Sequence, residues 1–408
     1  MKALILAAGE GTRLRPLTSN VPKPLLTVAG KPFMTHTIEA LKAVGVEEVI
    51  ILTGFRGDRI RSHYRNGETL GIKISYLEQK ERKGTAHAIG MAESQIDGPF
   101  FCLAGDVLVN AEDLNAMKAL HKEGGSSVLG AIEVEDPSRF GVIEVEAGRM
   151  VGIVEKPQDP KSNLINSSVY LFNPDVFQKI ALTELSDRQE YEITDSIAML
   201  AAEGNVLVHP MQGEWIDVGQ PWDLLKANEK LMSVLKRNVE GTVEEGAYII
   251  GEVVVEEGAR IRSGSYIEGP AYISAGCDIG PNCHIRAHTC LGPRCRVGNA
   301  SEVKNSIIMA DTKVPHHNYI GDSIIGERCN FGSGTKVANL RFDHRNIKVM
   351  TKNGQVDSGR RKMGVVMGDD VETGINAMIL PGTVIFEKAI IGAGSTAYGL
   401  IGKGAQIL

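Results

Sequence analysis

The sequence predicts two architectures in series, an α/β domain with a helix-covered parallel sheet and then a parallel β-solenoid. Three observations carry this. Strand-like runs (KALILAAG, VEEVIILTG, IKISYLEQ, GPFFCLAGD) alternate with amphipathic stretches such as Phe33 to Val44 over the first 228 residues. From Val255 onward an aliphatic residue recurs every sixth position. Glycine makes up 46 of 408 residues, above the usual level of about 7% and without a collagen period, which points to many tight turns. The expected division is residues 1–228, a helical linker over 229–245, and a solenoid over 246–408. The run Pro221 to Asn238 (PWDLLKANEKLMSVLKRN) supplies the helix-like connector.

A chain of 408 residues exceeds one ordinary core. Its 43% hydrophobic and 23% charged content excludes wholesale disorder. The net charge of −6 excludes a generally basic nucleic-acid surface, so any phosphate site is local. The apolar start MKALILAAG breaks at Gly9, and no apolar run approaches about 18 residues. The expectation is a cytoplasmic protein that engages neither membrane nor nucleic acid.

The hexads run through Val255, Ile261, Ile267, Ile273, Ile279, Ile285, Leu291, Val297 and Val303. Two positions before each stands a small residue in most cases, among them Ala259, Ser265, Ala271, Cys277, Cys283, Thr289, Cys295 and Ser301. The pattern resumes at Tyr319, Ile325, Phe331 and Val337, and again at Ile379, Ile385 and Ile391. Six residues suit a short strand plus a turn. The hexads resemble those of the left-handed parallel β-helix, which implies three hexads per coil and coils about 4.8 Å apart. Residues 18 apart then stack, so Cys277 lies over Cys295 and both read as buried fillers. Cys102, in PFFCLAG, reads likewise. Two interruptions are expected to leave the coil as loops: Met309 to Asn318, containing His316 and His317, and Arg341 to Met363, containing Arg360-Arg361-Lys362.

The first strand runs into Gly9-Glu10-Gly11-Thr12-Arg13-Leu14. The third glycine of a dinucleotide fingerprint is missing and no Gly-Lys-Ser/Thr follows. What remains is a loop whose amides can cradle phosphate, with Arg13 and Lys23 to neutralise charge. The run LAAGEGTRLRPLT followed by VPKPLL resembles the signature of the sugar-1-phosphate nucleotidylyltransferases. That resemblance implies a Rossmann-like domain and assigns roles. Ala8, Gly9, Gly11 and Thr12, with Gln79, Gly84 and Thr85, bind the nucleoside triphosphate, and Arg13 and Lys23 are catalytic. Asp106 and Asp217 hold Mg²⁺, while Gly141, Glu155, Lys156 and Asn166 meet the sugar phosphate. The chemistry agrees: attack of a sugar-1-phosphate oxygen on an α-phosphorus needs alignment and charge neutralisation, not a protein nucleophile. Two carboxylates plus substrate phosphates suit Mg²⁺.

In the second half, Arg286, Lys304, His316, Tyr319, Asn330 and Asn339 resemble the acetyltransferase site of the bifunctional uridylyltransferase/acetyltransferases. The resemblance implies acetyl-CoA as co-substrate and His316 as the base that takes the amine proton. It implies Arg286 and Lys304 on the sugar phosphate, and Asn330 orienting the amine. Arg360, Arg361 and Lys362 would face coenzyme A phosphates. A lone loop histidine is more often a polar surface residue; the register of His316 with Lys304, Tyr319 and Asn330 reverses that preference. His317 stands where an apolar residue is expected, and the loop 341–363 resembles the archaeal-type enzymes. The nucleotide stays open between UTP and dTTP, and the sugar among glucose, glucosamine, N-acetylglucosamine and galactosamine types. A homotrimer or higher oligomer is implied. Two rivals remain. One is a monofunctional glucose-1-phosphate thymidylyltransferase or mannose-1-phosphate guanylyltransferase with an oligomerising solenoid. The other is a regulatory subunit that binds without turnover, against which intact Arg13, Lys23, Asp106 and Asp217 argue.

Overall fold

The computed structural model describes residues 1–213, 215–352 and 354–408. They divide into two compact units: residues 1–10, 22–25 and 33–217, and residues 11–21, 26–32 and 218–408.

The first unit is built on a sheet of strands β1 (Lys2–Ala7), β2 (Glu48–Thr53), β3 (Lys73–Glu78), β4 (Phe100–Ala104), β5 (Ser127–Glu133), β6 (Gly141–Glu146), β7 (Arg149–Glu155), β8 (Leu164–Phe172) and β9 (Val206–Pro210). Among the described residues their order is β3-β2-β1-β4-β8-β5-β9-β7-β6. β3, β2, β1 and β4 are mutually parallel and β8 enters antiparallel between β4 and β5. Strands covered on both faces must be apolar at nearly every position, and their side chains divide by parity. Ala3, Ile5 and Ala7 accordingly enter one core with Val49, Ile51, Phe101 and Leu103, whereas Leu4 enters the other with Ile50, Leu52, Phe100 and Cys102.

In the second unit, successive short strands fall in turn on three parallel sheets, the class expected from the hexads. One inward column runs Val255, Ile273, Leu291, Ile308, Ile325, Met367, Ile385, Ile401, all buried. Most corners use a residue with positive φ. Glycine fills many, but Asn282, His288, Arg294, Ala300, Asn305, Asp311, His317, Asp322 and Arg328 fill others. Their spacing corrects one expectation. Met309 to Asn318 is no loop: Ile307–Ile308, Lys313–Val314 and Tyr319–Gly321 continue the three sheets. The left-handed corner comes one residue early at Asn305 and again at Asp322, so the coil shortens from 18 residues to 17, pairing Leu291 with Ile308 and Val297 with Val314. Ile320, not Tyr319, therefore points inward. The second interruption does leave the coil, as a hairpin of Lys348–Thr351 and Gly354–Asp357.

The connector also differs from its expected extent. Its helix spans Asp223–Ser233, and Asn238–Val239 and Thr242–Val243 already pair with coil strands, so most of 229–245 is not helical. That helix has a second task. On one sheet the outward column Tyr272, Cys290, Ile307, Ile324, Val366 and Val384 is as buried as the inward one. Residues 26–32 and the helix cover part of it: the Gly30 amide donates to Cys290 Sγ (3.2 Å), the Ala29 amide to Asn228 Oδ1 (2.9 Å), and Asn228 Nδ2 to the His288 carbonyl (2.8 Å).

Candidate active sites

In the first unit, several of the residues expected to serve nucleotidyl transfer lie at the C-terminal ends of the parallel strands, where open α/β sheets place their ligands. β4 ends in Gly105, whose amide donates to the Leu6 carbonyl (2.9 Å); a Cβ at Gly105 would lie 2.9 Å from that oxygen. The closed turn presents Asp106, which is ion-paired with Lys23. Asp217 lies on the short strand Ile216–Asp217, directly opposite Val107, so both carboxylates arise at one two-stranded ribbon. Gln79 is buried at the end of β3, 3.1 Å from His87 Nδ1. Gly84 (φ 108) opens the helix Thr85–Gly90 with its Cα against Tyr191, and a Cβ there would overlap the Tyr191 carbonyl. Thr85 Oγ1 accepts from the Ile193 amide (2.9 Å). Ala8 is buried and Gly9 exposed.

A cavity in this unit is lined by Gly141, Glu155, Lys156 and Asn166, the four residues expected on the sugar side. Lys156 Nζ lies 3.3 Å from Glu155, and Asn166 donates to the Tyr170 hydroxyl (2.7 Å), which fixes its amide. Sequence reasoning missed Arg139 and Arg188 in the same wall. Arg188 pairs with Glu192 (2.6 Å) and approaches Glu155 (3.7 Å) and Glu190 (3.6 Å). Burial, the largest single influence, works against that guanidinium's charge, but the Glu192 hydrogen bond and the charges of Glu192, Glu155 and Glu190 together raise the pKa. No motif marks Arg188; only folding brings it to Glu155.

Gly11, Thr12 and Arg13 fall in the second unit. Gly11 (φ 63) caps the turn Thr12–Leu14, and Thr18 Oγ1 donates to its carbonyl (2.7 Å), leaving Arg13 exposed. Arg13 and Thr12 line a cavity with Met350 and Lys352 of the inserted hairpin, two residues that no sequence signal singled out.

On one β-helix sheet, four of the six expected acyl-transfer residues come together. Arg286 donates to Glu302 (2.9 Å), which raises the guanidinium pKa. Lys304 ends the strand Glu302–Lys304, paired with Tyr319–Gly321. Asn339 Nδ2 donates to the Tyr319 hydroxyl (3.2 Å), and burial raises the Tyr319 pKa. The other two lie apart within the chain. His316 is exposed at the preceding corner, its carbonyl accepting from the Gly334 amide (3.1 Å), and Asn330 is exposed on another sheet, paired with Lys313 and Glu372. His317, standing where an apolar residue is expected, is an exposed left-handed corner residue (φ 53). Arg360 departs from the coenzyme A role: it is committed to Glu229 of the connecting helix (2.5 Å). Arg361 and Lys362 remain exposed.

Comparison with known proteins places both regions in known families. The Nucleotidyl transferase family model matches residues 2–234, and the model of the GMPPB C-terminal domain matches residues 267–394. A "Bifunctional protein GlmU" of Methanocaldococcus jannaschii is 42% identical over 96% of this chain and 94% of the relative. A "Bifunctional sugar-1-phosphate nucleotidylyltransferase/acetyltransferase" of Sulfurisphaera tokodaii is 38% identical over 99% of both. The chain belongs to the nucleotidyl transferase family of bifunctional nucleotidylyltransferase/acetyltransferases. A solved UDP-glucose pyrophosphorylase with bound UDP-glucose resembles the first region of this family member at TM-score 0.52 and 28% identity, over 57% of this chain and 98% of that structure. Among the described residues, no helix of this nucleotidylyltransferase/acetyltransferase is long and apolar enough to cross a membrane.

Proposed function

We propose that the first region condenses UTP or dTTP with a sugar-1-phosphate, releasing pyrophosphate, and that the β-helix transfers the acetyl group of acetyl-CoA to the amine of glucosamine-1-phosphate or a related amino-sugar phosphate. The convergence of Lys304, Tyr319 and Asn339 on one sheet carries this reading over a purely structural solenoid.

In the first reaction the loop amides at Ala8, Gly9, Gly11 and Thr12 cradle the triphosphate, and Arg13 and Lys23 offset its charge. Gln79, Gly84 and Thr85 seat the base. Gly141, Glu155, Lys156 and Asn166 orient the sugar phosphate so that its oxygen approaches the α-phosphorus in line with the departing pyrophosphate. The two carboxylates of Asp106 and Asp217 form a hard oxygen set that fits Mg²⁺ completed by waters and phosphates. When bound, the ion neutralises charge on those phosphates.

In the second reaction Arg286 and Lys304 hold the sugar phosphate. His316 takes the proton as the amine nitrogen attacks the thioester carbonyl and the coenzyme A thiolate leaves. Within one chain Asn330 and His316 lie off the Lys304 sheet. A symmetric homotrimer would bring one subunit's pair to the neighbour's Lys304 and Tyr319.

A second reading rests on the GMPPB C-terminal match: a nucleotidylyltransferase whose solenoid only assembles subunits. The test is to mix the protein with glucosamine-1-phosphate and acetyl-CoA, following N-acetylated product by mass beside His316→Ala. Product that disappears in the variant supports the bifunctional reading. No product with either glucosamine- or galactosamine-1-phosphate leaves the structural solenoid.

A further inference from the structure

We infer that Asp322 is the positioning residue of the acyl-transfer face: a buried carboxylate that anchors Lys304 and Asn339 and, through Asn339, leaves the Tyr319 hydroxyl and the Lys304 ammonium as donors toward the sugar phosphate. The inference rests on the acyl-transfer reading above.

Asp322 occupies a left-handed corner (φ 49) directly after the strand Tyr319–Gly321, with only 3% of its side chain exposed. Its Oδ1 accepts from Asn305 Nδ2 (2.8 Å), and its Oδ2 from Lys304 Nζ (3.3 Å) and Asn339 Nδ2 (2.5 Å). The preceding residue makes room for this. A Cβ at Gly321 would lie 2.5 Å from Asn339 Nδ2 and 2.7 Å from the Tyr319 hydroxyl, so glycine is needed for the two side chains to meet above the strand. Behind the carboxylate, Asn305 Nδ2 also donates to Glu229 (2.8 Å), itself held by Arg360 (2.5 Å). A cavity lined by Asp322, Gly359, Arg360, Arg361 and Lys362 opens beside it.

Stability alone is a weak reason for this arrangement, because a buried ion pair often contributes no more than apolar residues of the same volume. Its hydrogen-bond logic is specific. An ionised carboxylate only accepts, so the amides of Asn305 and Asn339 must both turn their nitrogens toward it. Asn339, now donating, occupies a lone pair of the Tyr319 oxygen, and the phenolic hydrogen is left to point elsewhere. Lys304 commits one of three N–H groups and keeps two. The face thus presents the Tyr319 O–H and two Lys304 N–H groups as donors beside Arg286, whose guanidinium is shared with Glu302, and the ligand that complements these donors is an anionic oxygen group such as a sugar phosphate.

Asp322→Asn keeps the shape but can donate as well as accept, so the fixed polarity is lost. In acetyl-transfer assays with the full chain, we expect the KM for glucosamine-1-phosphate to rise at least tenfold. The KM for acetyl-CoA should stay within twofold, kcat within threefold, and nucleotidyl transfer should not change. Adding Asn339→Asp returns a carboxylate to the same bridge and should recover part of the lost affinity. If Asp322→Asn does not fold, Glu229→Gln, at the outer end of the chain of bonds, should raise the same KM about threefold. An unchanged KM for the sugar phosphate in the folded Asp322→Asn protein, or in Glu229→Gln where that variant stands in, overturns the inference and leaves the acyl-transfer reading intact. So does a uniform rise of both substrates' KM values accompanied by a fall of both activities. A parent enzyme that neither binds nor acetylates the sugar phosphate overturns both.

Discussion

Lys23 and Asp106, 83 residues apart in sequence, form an ion pair at the mouth of the first unit's sheet, directly beside the strand position that faces Asp217. The lysine is nine-tenths buried, so its charge is held in place for a ligand, whereas an exposed lysine would be screened. Replacing Asp106 by Ala leaves a buried cation without its partner and removes one of two candidate metal carboxylates. Nucleotidyl transfer, read as pyrophosphate release, should fall at least about a hundredfold. N-acetylation of glucosamine-1-phosphate by the same preparation should stay within twofold.

Gly84→Ala tests the base-binding turn. The new Cβ overlaps the Tyr191 carbonyl and the backbone stands at φ 108, outside the range of an L side chain. The variant should lose about 1–3 kcal/mol of stability by urea unfolding. Its KM for the nucleoside triphosphate should rise, since the displaced helix Thr85–Gly90 carries the neighbouring Thr85.

Glu229→Gln carries a pH signature. Burial alone would raise the Glu229 pKa, but hydrogen bonding and charge from Arg360, with a bond from Asn305, lower it below its ordinary value. A depressed carboxyl contributes stability above its unfolded pKa of about 4.3 and loses it as pH falls through the folded value. Parent and variant should therefore differ by about 2 kcal/mol at pH 7, a gap that narrows progressively below about pH 4. Urea unfolding at pH 7, 5, 4 and 3 measures it.

The six cysteines are free and buried. Burial pushes the Cys283 thiol up to about 11 and those of Cys290 and Cys329 up to about 12, so thiolate at neutral pH is scarce. An aromatic disulfide reagent should find no reactive thiol in the folded protein within minutes, and six per chain in guanidinium.

Much of this was written locally. Alternating parity in Leu4 and Ile5, and the sixfold recurrence from Val255 to Val303, follow from side-chain geometry that acts within a few residues. Asp106 and Lys156 lie in contiguous motifs and could be singled out as candidates for the same reason. The early corners at Asn305 and Asp322 were not, because Asn and Asp serve as left-handed corners and as ordinary loop residues alike. The burial of Cys290 depends on Gly30, 260 residues away. Arg360 looked free because its partner, Glu229, lies on a helix 131 residues earlier. Charge pairing of that kind leaves no local pattern, and Arg188 beside Glu155 was hidden in the same way.

The covered outer column of the β-helix bears on how such a chain can be inherited. Tyr272 and Cys290 are sealed partly by residues 26–32, so the compact body they belong to begins near the amino terminus and not at the linker. A recombination event that cut at residue 228 and supplied a foreign amino-terminal half would strip a hydrophobic stripe of its lid. Gene fusion between an unrelated transferase and this solenoid would leave that stripe bare unless the donor also carried a matching segment.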